Sequence, residues 1–223
     1  MNAELNDVFI ILPGYNEEKH AQNTILELEM EGYKNIIFID DGSMDKTANA
    51  VLKTNATLLK HKVNLGKGAA TKTGCDYAIS KGAKIIILMD SDGQHEAKYV
   101  KKFIKALKNK DIVFSYRKFD ENMPKMMKLG NIFLSTASNM LFNYKIKDTQ
   151  AGFRAFTTDA YKKIRWHSNN YAMESEMIAR AAKHKLKYDE IEIKTIYHDK
   201  HKGTTPLDGP KVLFNMMRFK FFD

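Results

Sequence analysis

The chain has 223 residues, 43% hydrophobic and 28% charged, the balance of a soluble globular protein long enough for one sizeable core. Its 36 Lys and Arg against 27 Asp and Glu leave a net charge of +9. That excess favours anionic partners: nucleotide or lipid phosphates, an acidic membrane surface, or nucleic acid. The single cysteine, Cys75, excludes an intrachain disulfide and a cysteine-based zinc cluster. The first residues lack the pattern of a secretory leader, and no apolar stretch reaches the ~18 residues of a membrane span. A cytoplasmic or peripheral protein is expected.

Val8–Leu12 is a short apolar run, read as a first strand. Pro13-Gly-Tyr-Asn-Glu-Glu18 follows, with Asn16 expected to cap the next helix and the acidic pair in its first turn. Ala21, Ile25 and Leu28 space out one buried helical face, and Gly32 ends that helix. Asn35–Ile39 reads as the second strand, closing on Asp40-Asp-Gly-Ser43. A helix with Ala48, Val51 and Leu52 inward and a third strand near Ala56–Lys60 come next.

Asn64-Leu-Gly-Lys-Gly-Ala-Ala70 opens the following helix. It completes neither the dinucleotide fingerprint nor the P-loop, yet a glycine turn at a helix N-terminus with Lys67 beside it favours an anion. The competing reading is a glycine turn with a solvated lysine. Cys75 in that helix reads as a small core residue.

Lys84–Met89 is apolar and branched, a buried parallel strand, and runs into Asp90-Ser-Asp-Gly-Gln-His95. Asp90 and Asp92, two apart at a strand's C-terminal end, suit a hard divalent cation, Mg²⁺ or Mn²⁺; a polar loop with Asp90 capping the next helix is the alternative. Strand–helix alternation at this spacing predicts an α/β fold, with a mostly parallel sheet and right-handed crossovers. The loops at 13–18, 40–43 and 90–95 then share the sheet edge where such folds bind ligands.

Val100, Phe103, Ile104 and Leu107 mark an amphipathic helix, and Ile112–Tyr116 a fifth strand ending at Arg117. Residues 118–124 are polar and read as a mobile connection. Lys125 and Lys128 lead into an apolar segment, Ile132–Leu134 and Met140–Phe142, read either as a core helix or as a surface for an apolar chain. Lys147–Phe156 mixes polar groups with aromatics, as a site-lining segment would. Tyr171–Lys185 is helical with Met173, Met177, Ile178 and Ala181 inward, and Ile191–Tyr197 alternates as a strand. His198–Pro206 is a basic, glycine-containing loop. The final segment after Lys211 is basic and aromatic, read either as packed on the domain or as interfacial. The division expected is a catalytic unit over 1–209 and an amphipathic segment over 210–223. Of the histidines, His95 is expected near the site, and His20, His61, His167 and His184 on the surface.

The succession Pro13–Glu18, Asp40–Ser43, Asn64–Ala69, Asp90–His95 and Asp148-Thr-Gln-Ala-Gly-Phe-Arg154 resembles the family-two inverting glycosyltransferases, and more closely the dolichyl-phosphate mannose synthase group. The resemblance runs from about Val8 to Gly203. It implies a GT-A fold, a nucleotide-binding α/β sandwich with the mostly parallel sheet flanked by helices, and transfer of a hexose from a GDP- or UDP-linked donor to a dolichyl or polyprenyl phosphate. By the same resemblance Pro13, Tyr15, Glu17 and Asp40 meet the base and ribose with Lys67 nearby, and Asp90 and Asp92, with Ser91 between them, meet the metal–diphosphate. Gln94 is then a further metal ligand, Asp148, Gln150 and Arg154 line the acceptor side, and Glu174 and Glu176 lie near the sugar. Lys200-His-Lys-Gly-Thr-Thr-Pro206 departs from the Arg-x-x-Gly-x-Ser-Lys of the synthases. Lys200 supplies charge there without the arginine's fork, and the membrane spans of many relatives do not follow.

A polyprenyl phosphate is already largely anionic at neutral pH, with a second pKa near ~6. It needs cationic capture rather than a base, and Arg117, Lys125 and Lys128 are the candidates. The residues expected to carry the chemistry are therefore Asp92, Asp148, Arg117 and Lys200. A family-two enzyme acting on a sugar hydroxyl would instead need a base, Asp148 or Glu174. A nucleotidyltransferase would carry a glycine-rich N-terminal loop that is missing here. A nucleic-acid-binding module explains the charge but not carboxylates clustered at the sheet edge, so no nucleic-acid partner is expected.

Overall fold

The computed structural model describes residues 5–117, 125–194 and 209–221. Within these, seven strands form one sheet: β1 (Val8–Gly14), β2 (Ile36–Asp40), β3 (Thr57–Lys60), β4 (Ile85–Leu88), β5 (Ile112–Arg117), β6 (Arg154–Thr157) and β7 (Tyr188–Ile193). The helices are α1 (Ala21–Met30), α2 (Thr47–Val51), α3 (Lys67–Ser80), α4 (Tyr99–Ala106), α5 (Lys125–Phe142), α6 (Thr158–Ile164), α7 (Ala172–Lys183) and α8 (Gly209–Phe221). Strand order is β3-β2-β1-β4-β6-β5-β7. Only β6 runs antiparallel to its neighbours, β4 and β5.

The strands in the middle are continuous apolar runs because both sheet faces are covered. Along β1, Phe9 and Ile11 join Ile37, Ile39, Ile86 and Leu88 in a core shared with α3, α6 and α7. The alternate residues Val8, Ile10 and Leu12 join Ile36, Phe38, Ile85 and Ile87 in a second core with α1 and α4. This period of two is what a strand between two helical layers requires. Cys75 is fully buried in the first core.

Most predicted elements form within a residue or two of their expected bounds. Asn16 is an exception. It does not cap α1, which begins four residues beyond Glu17; it adopts φ 56°, and its Oδ1 accepts from the Met44 amide at 2.9 Å. Thr47 Oγ1 accepts from the Glu17 amide at 2.7 Å, so the loop after β1 is tied to the loop after β2. In α2 the inward residues are Thr47, Ala50 and Val51, whereas Leu52, expected inside, is 68% exposed. β6 and α6 were not anticipated: Arg154 opens a four-residue strand inside the segment read as site-lining, and Thr157 caps α6 by accepting from the Ala160 amide at 3.1 Å.

The C-terminal helix packs on the rest of the chain. Val212 and Met216 meet Leu134 of α5, and Phe219 meets Ala172 and Ala179 of α7. Residues 118–124, the loop 198–206 with Lys200, the side chain of Lys125, and Thr195 and Tyr197 of the last predicted strand lie outside the described residues.

Candidate active site

Parallel pairing of β1 with β2 and of β1 with β4 sets the C-terminal ends of three strands side by side. Ser91 Oγ donates to the Pro13 carbonyl at 2.8 Å, locking the β4 loop to the end of β1. Asp40 is fully buried and accepts from the Ser43 amide at 2.8 Å, closing the turn after β2. In the loop after β1, Glu17 is buried and Tyr15 is 42% exposed.

Asp41, which the sequence reading passed over, organises the next loop. It accepts from the Leu65 and Gly66 amides at 3.0 and 2.8 Å and from His61 Nδ1 at 2.7 Å, while His61 Nε2 meets Thr73 Oγ1 at 3.0 Å. His61 was expected on the surface; only 12% of its side chain is accessible, because it bridges this loop to α3.

The glycines at the start of α3 serve packing. A Cβ on Gly66 would lie 2.4 Å from the Asn169 carbonyl oxygen, and one on Gly68 2.3 Å from that of Ser168. The Ala69 amide donates to Asn169 at 3.1 Å. The 168–170 backbone therefore covers part of the helix N-terminus that the sequence offered to an anion. Lys67 projects the other way, with Nζ 2.8 Å from Asp90 Oδ1 and 2.9 Å from Glu174 Oε1 and 5.5 Å from the Tyr171 ring centroid.

Asp90 thus sits at the centre of the edge. Burial opposes its ionisation, but the Lys67 ammonium and the adjacent His95 hold its carboxyl well below the usual range. Asp92 is pushed the opposite way, by burial first and then by the charge of Asp90. Lys67 shifts up: burial disfavours its charge, and the two carboxylates outweigh that. The Gln94 amide donates to Asp92 Oδ1 at 3.0 Å. His95 Nε2 lies 3.7 Å from Asp90 Oδ2, and its buried Nδ1 has no hydrogen-bond partner among the described residues.

Among the described residues no three His, Cys, Asp or Glu converge as a protein-only metal cage. Two part-exposed carboxylates, one of them raising the cost of ionising the other, do fit a hard cation that keeps its remaining positions for water and phosphate. Asp90 and Asp92 meet that requirement.

The segment that follows Asp148 reaches the same point. A Cβ on Gly152 would fall 2.5 Å from Asp90 Oδ2 and 3.0 Å from Lys67 Nζ, so glycine there lets this segment touch the carboxylate. Asp148, 1% exposed, takes a two-pronged hydrogen bond from Arg117, Nε to Oδ2 at 2.7 Å and Nη2 to Oδ1 at 3.1 Å. Burial would raise the Asp148 carboxyl, but Arg117 holds it below its usual range. The Gln150 amide donates to Asp148 Oδ1 at 3.1 Å.

Two expected site residues are placed elsewhere. Arg154 is 1% exposed. Its nitrogens donate to the carbonyls of Ala151, Glu174 and Thr149 at 3.1, 2.9 and 2.9 Å. It braces β6 against α7 and has no face left for an acceptor. Glu176 is taken up by its own neighbours: it accepts from the His167 and Ser168 amides at 2.8 and 2.9 Å and from Arg180, fixing the turn that covers α3. Lys128 is exposed on α5.

Comparison with known proteins identifies the family and the fold. The family model for glycosyl transferase family 2 matches residues 9–165. An uncharacterized protein of Methanocaldococcus jannaschii is 38% identical, over 99% of this chain and 97% of its own. The UDP-N-acetylglucosamine–dolichyl-phosphate N-acetylglucosaminyltransferase of Methanococcus voltae is 33% identical, with 96% of each chain covered. Among solved structures, glucosyl-3-phosphoglycerate synthase of Mycobacterium tuberculosis superimposes with a TM-score of 0.76 over 96% of this chain and 79% of that one, at 16% identity, a likeness of fold. The chain is a glycosyltransferase of the GT-A fold and belongs to glycosyl transferase family 2.

Proposed function

We propose that this enzyme transfers a hexose from a nucleoside-diphosphate sugar to a dolichyl or polyprenyl phosphate with inversion, working peripherally at the cytoplasmic face of a membrane. The observation that carries the reading is the meeting of Gly152 with Asp90 and Lys67. It brings the segment 148–152 to the same point as the carboxylates suited to a metal–diphosphate. The relative from Methanococcus voltae, whose name places dolichyl phosphate as its acceptor, supports the acceptor class.

In this reading Pro13, Tyr15, Glu17, Asp40 and Ser91 frame the base and ribose of the donor. Asp90 and Asp92, with Gln94 beside them, would hold Mg²⁺ or Mn²⁺. When bound, such an ion neutralises charge building on a leaving diphosphate. Lys67 holds Asp90 and Glu174 in place and adds positive charge next to the diphosphate. An acceptor phosphate oxygen bonds to the anomeric carbon as the bond from that carbon to the donor diphosphate breaks, and nucleoside diphosphate leaves. Arg117, Lys128, Gln150 and, outside the described residues, Lys125 and Lys200 are the groups assigned to the two phosphates.

The pairing of Arg117 with Asp148 favours this over a sugar-hydroxyl acceptor. A hydroxyl needs a general base. Asp148 is held below its usual range by a two-pronged arginine, and Glu174 is occupied by Lys67 at 2.9 Å. A phosphate acceptor has no such need, since it is already ionised above its second pKa near ~6. The test offers polyprenyl phosphate and glycan acceptors with UDP- and GDP-sugars and reads product and pH dependence. Glycolipid formed at a rate level above about pH 7 is expected. Transfer to glycans alone, rising with pH, would refute the reading.

A further inference from the structure

Where α8 packs on α7, beside the end of α5, the helices leave a cavity of about 320 Å³. Its apolar walls are Phe142, the last residue of α5, Ala179 and Ala182 of α7, and Phe219 of α8. The two alanines stand three apart on one face of α7. Their small side chains leave the space that a leucine there would fill.

The polar lining is cationic. Arg180 and Lys183 of α7 and Lys220 of α8 line the cavity, with His184 just past the end of α7. Glu176 is the single acid among the lining residues. Its oxygens already accept from the His167 and Ser168 amides and from Arg180 Nε. Among the described residues Arg180 donates through Nε alone, so its terminal nitrogens keep their donors for a ligand. Basic residues in the last turns of α7 and α8 complement the helix dipoles. That explains a positive charge at each helix end but not a shared hollow with aromatic and alanine walls. An apolar lining with a few convergent polar groups, in a volume of this order, is what small-molecule sites have in common.

The lining also selects a ligand. A guanidinium and two ammonium groups suit the several oxygens and the higher charge of a phosphate better than a carboxylate. The walls call for an apolar body beside it, and a cavity of this size suits a ring system but is too small for a pair of acyl chains. The donor edge is separate. Glu174, which meets Lys67, stands in the first turn of α7, and Lys183 lies about 13 Å further along the helix axis.

We propose that the cavity between α5, α7 and α8 binds a small soluble phosphate monoester with a compact apolar body. The phosphate meets Arg180, Lys183 and Lys220, and the body lies against Phe142, Phe219 and the two alanines. The inference does not depend on which donor or acceptor the enzyme uses.

The test is calorimetric titration with 1-naphthyl phosphate in excess chelator, so that Asp90 and Asp92 have no cation with which to hold a phosphate. Inorganic phosphate, 1-naphthol and dihexanoyl phosphatidic acid are titrated beside it. One equivalent of 1-naphthyl phosphate should bind, at least about tenfold more tightly than inorganic phosphate or 1-naphthol, because the joined molecule buries its ring and keeps its cations. Ala182→Leu fills the hollow and leaves every charge, and Lys220→Glu reverses one charge at an exposed position. Each should weaken binding at least about tenfold. Lys101→Glu, exposed on α4, and Asp92→Asn should bind like wild type. If Ala182→Leu lowers the melting temperature sharply, Lys220→Glu decides alone. No binding by wild type, retained binding in Lys220→Glu, equal loss in Lys101→Glu, or loss in Asp92→Asn overturns the proposal. So does inorganic phosphate binding as tightly as 1-naphthyl phosphate, since the apolar walls would then contribute nothing. Binding of dihexanoyl phosphatidic acid without 1-naphthyl phosphate overturns it as well, by making the cavity a lipid-headgroup contact.

Discussion

Replacing Lys67 by Met keeps most of the side-chain volume and removes the ammonium that lies 2.8 Å from Asp90 and 2.9 Å from Glu174. Two carboxylates then share a largely dry site without a cation. Removing one partner of a buried pair costs about 3–5 kcal/mol. Because 18% of the Lys67 side chain and 26% of that of Asp90 reach solvent, the low end, about 3 kcal/mol, is the appropriate figure. For a chain of this length each kcal/mol lowers the melting temperature by roughly 2–4 °C, so a fall of roughly 6–12 °C is expected at about pH 7.

The pH dependence has a definite sign. The folded-state pKa of Asp90 lies below its unfolded value of about 3.9. Its attraction to Lys67 therefore stabilises the wild type above about pH 4 and is lost as pH falls through the folded pKa. In Lys67→Met Asp90 loses that attraction while its burial still opposes ionisation, so it takes up its proton at a higher pH than in wild type. The stability deficit should be largest at about pH 7 and shrink towards about pH 4. Thermal melts followed by circular dichroism across that range read this directly. A deficit that is absent, or constant with pH, would show that Lys67 does not neutralise this pair.

Gly68→Ala and Gly152→Ala should separate packing from chemistry. The first drives a Cβ into backbone atoms of Ser168–Asn170 and should cost about 1–3 kcal/mol. The second meets only the movable ends of Asp90 and Lys67, so melting should change little while nucleoside-diphosphate binding, measured by calorimetry, is lost. Arg117→Ala and Asp148→Ala should each destabilise the protein by about 3–5 kcal/mol, since each strands a buried charge, whereas the double variant should recover part of the loss. Additive losses in a double-mutant cycle would contradict the pairing.

Much of the sheet was legible because its strands obey a simple rule. β1, β2 and β4 lie between two helical layers, so their apolar runs are unbroken and their polar ends stand out as Asp40 and Asp90–Asp92. β6 was hidden because it is four residues long and opens with Arg154, a residue that local pattern assigns to a site rather than to a core. Only the tertiary structure supplies the three carbonyls that satisfy it. The same applies to Asp41: adjacent to Asp40 in sequence, it serves a loop 24 residues away. Gly66 and Gly68 resemble a phosphate loop, but the backbone that needs them small is a hundred residues further along the chain. Arg117 and Asp148 were each singled out from the sequence for separate tasks. Their mutual bond, across 31 residues, is a product of β5 ending beside the turn before β6.

The most direct test is transfer of labelled hexose from UDP- and GDP-sugars into organic-extractable polyprenyl-phosphate product, by wild type and by Asp92→Asn, with Mn²⁺ and with excess chelator. Asp92 is the second carboxylate of the pair and makes no ion pair among the described residues, so its amide should leave melting unchanged. Glycolipid is expected only from wild type with metal, at least about a hundredfold above the other three conditions. Wild-type turnover in chelator, or undiminished turnover by Asp92→Asn, would contradict a metal–diphosphate site at the end of β4.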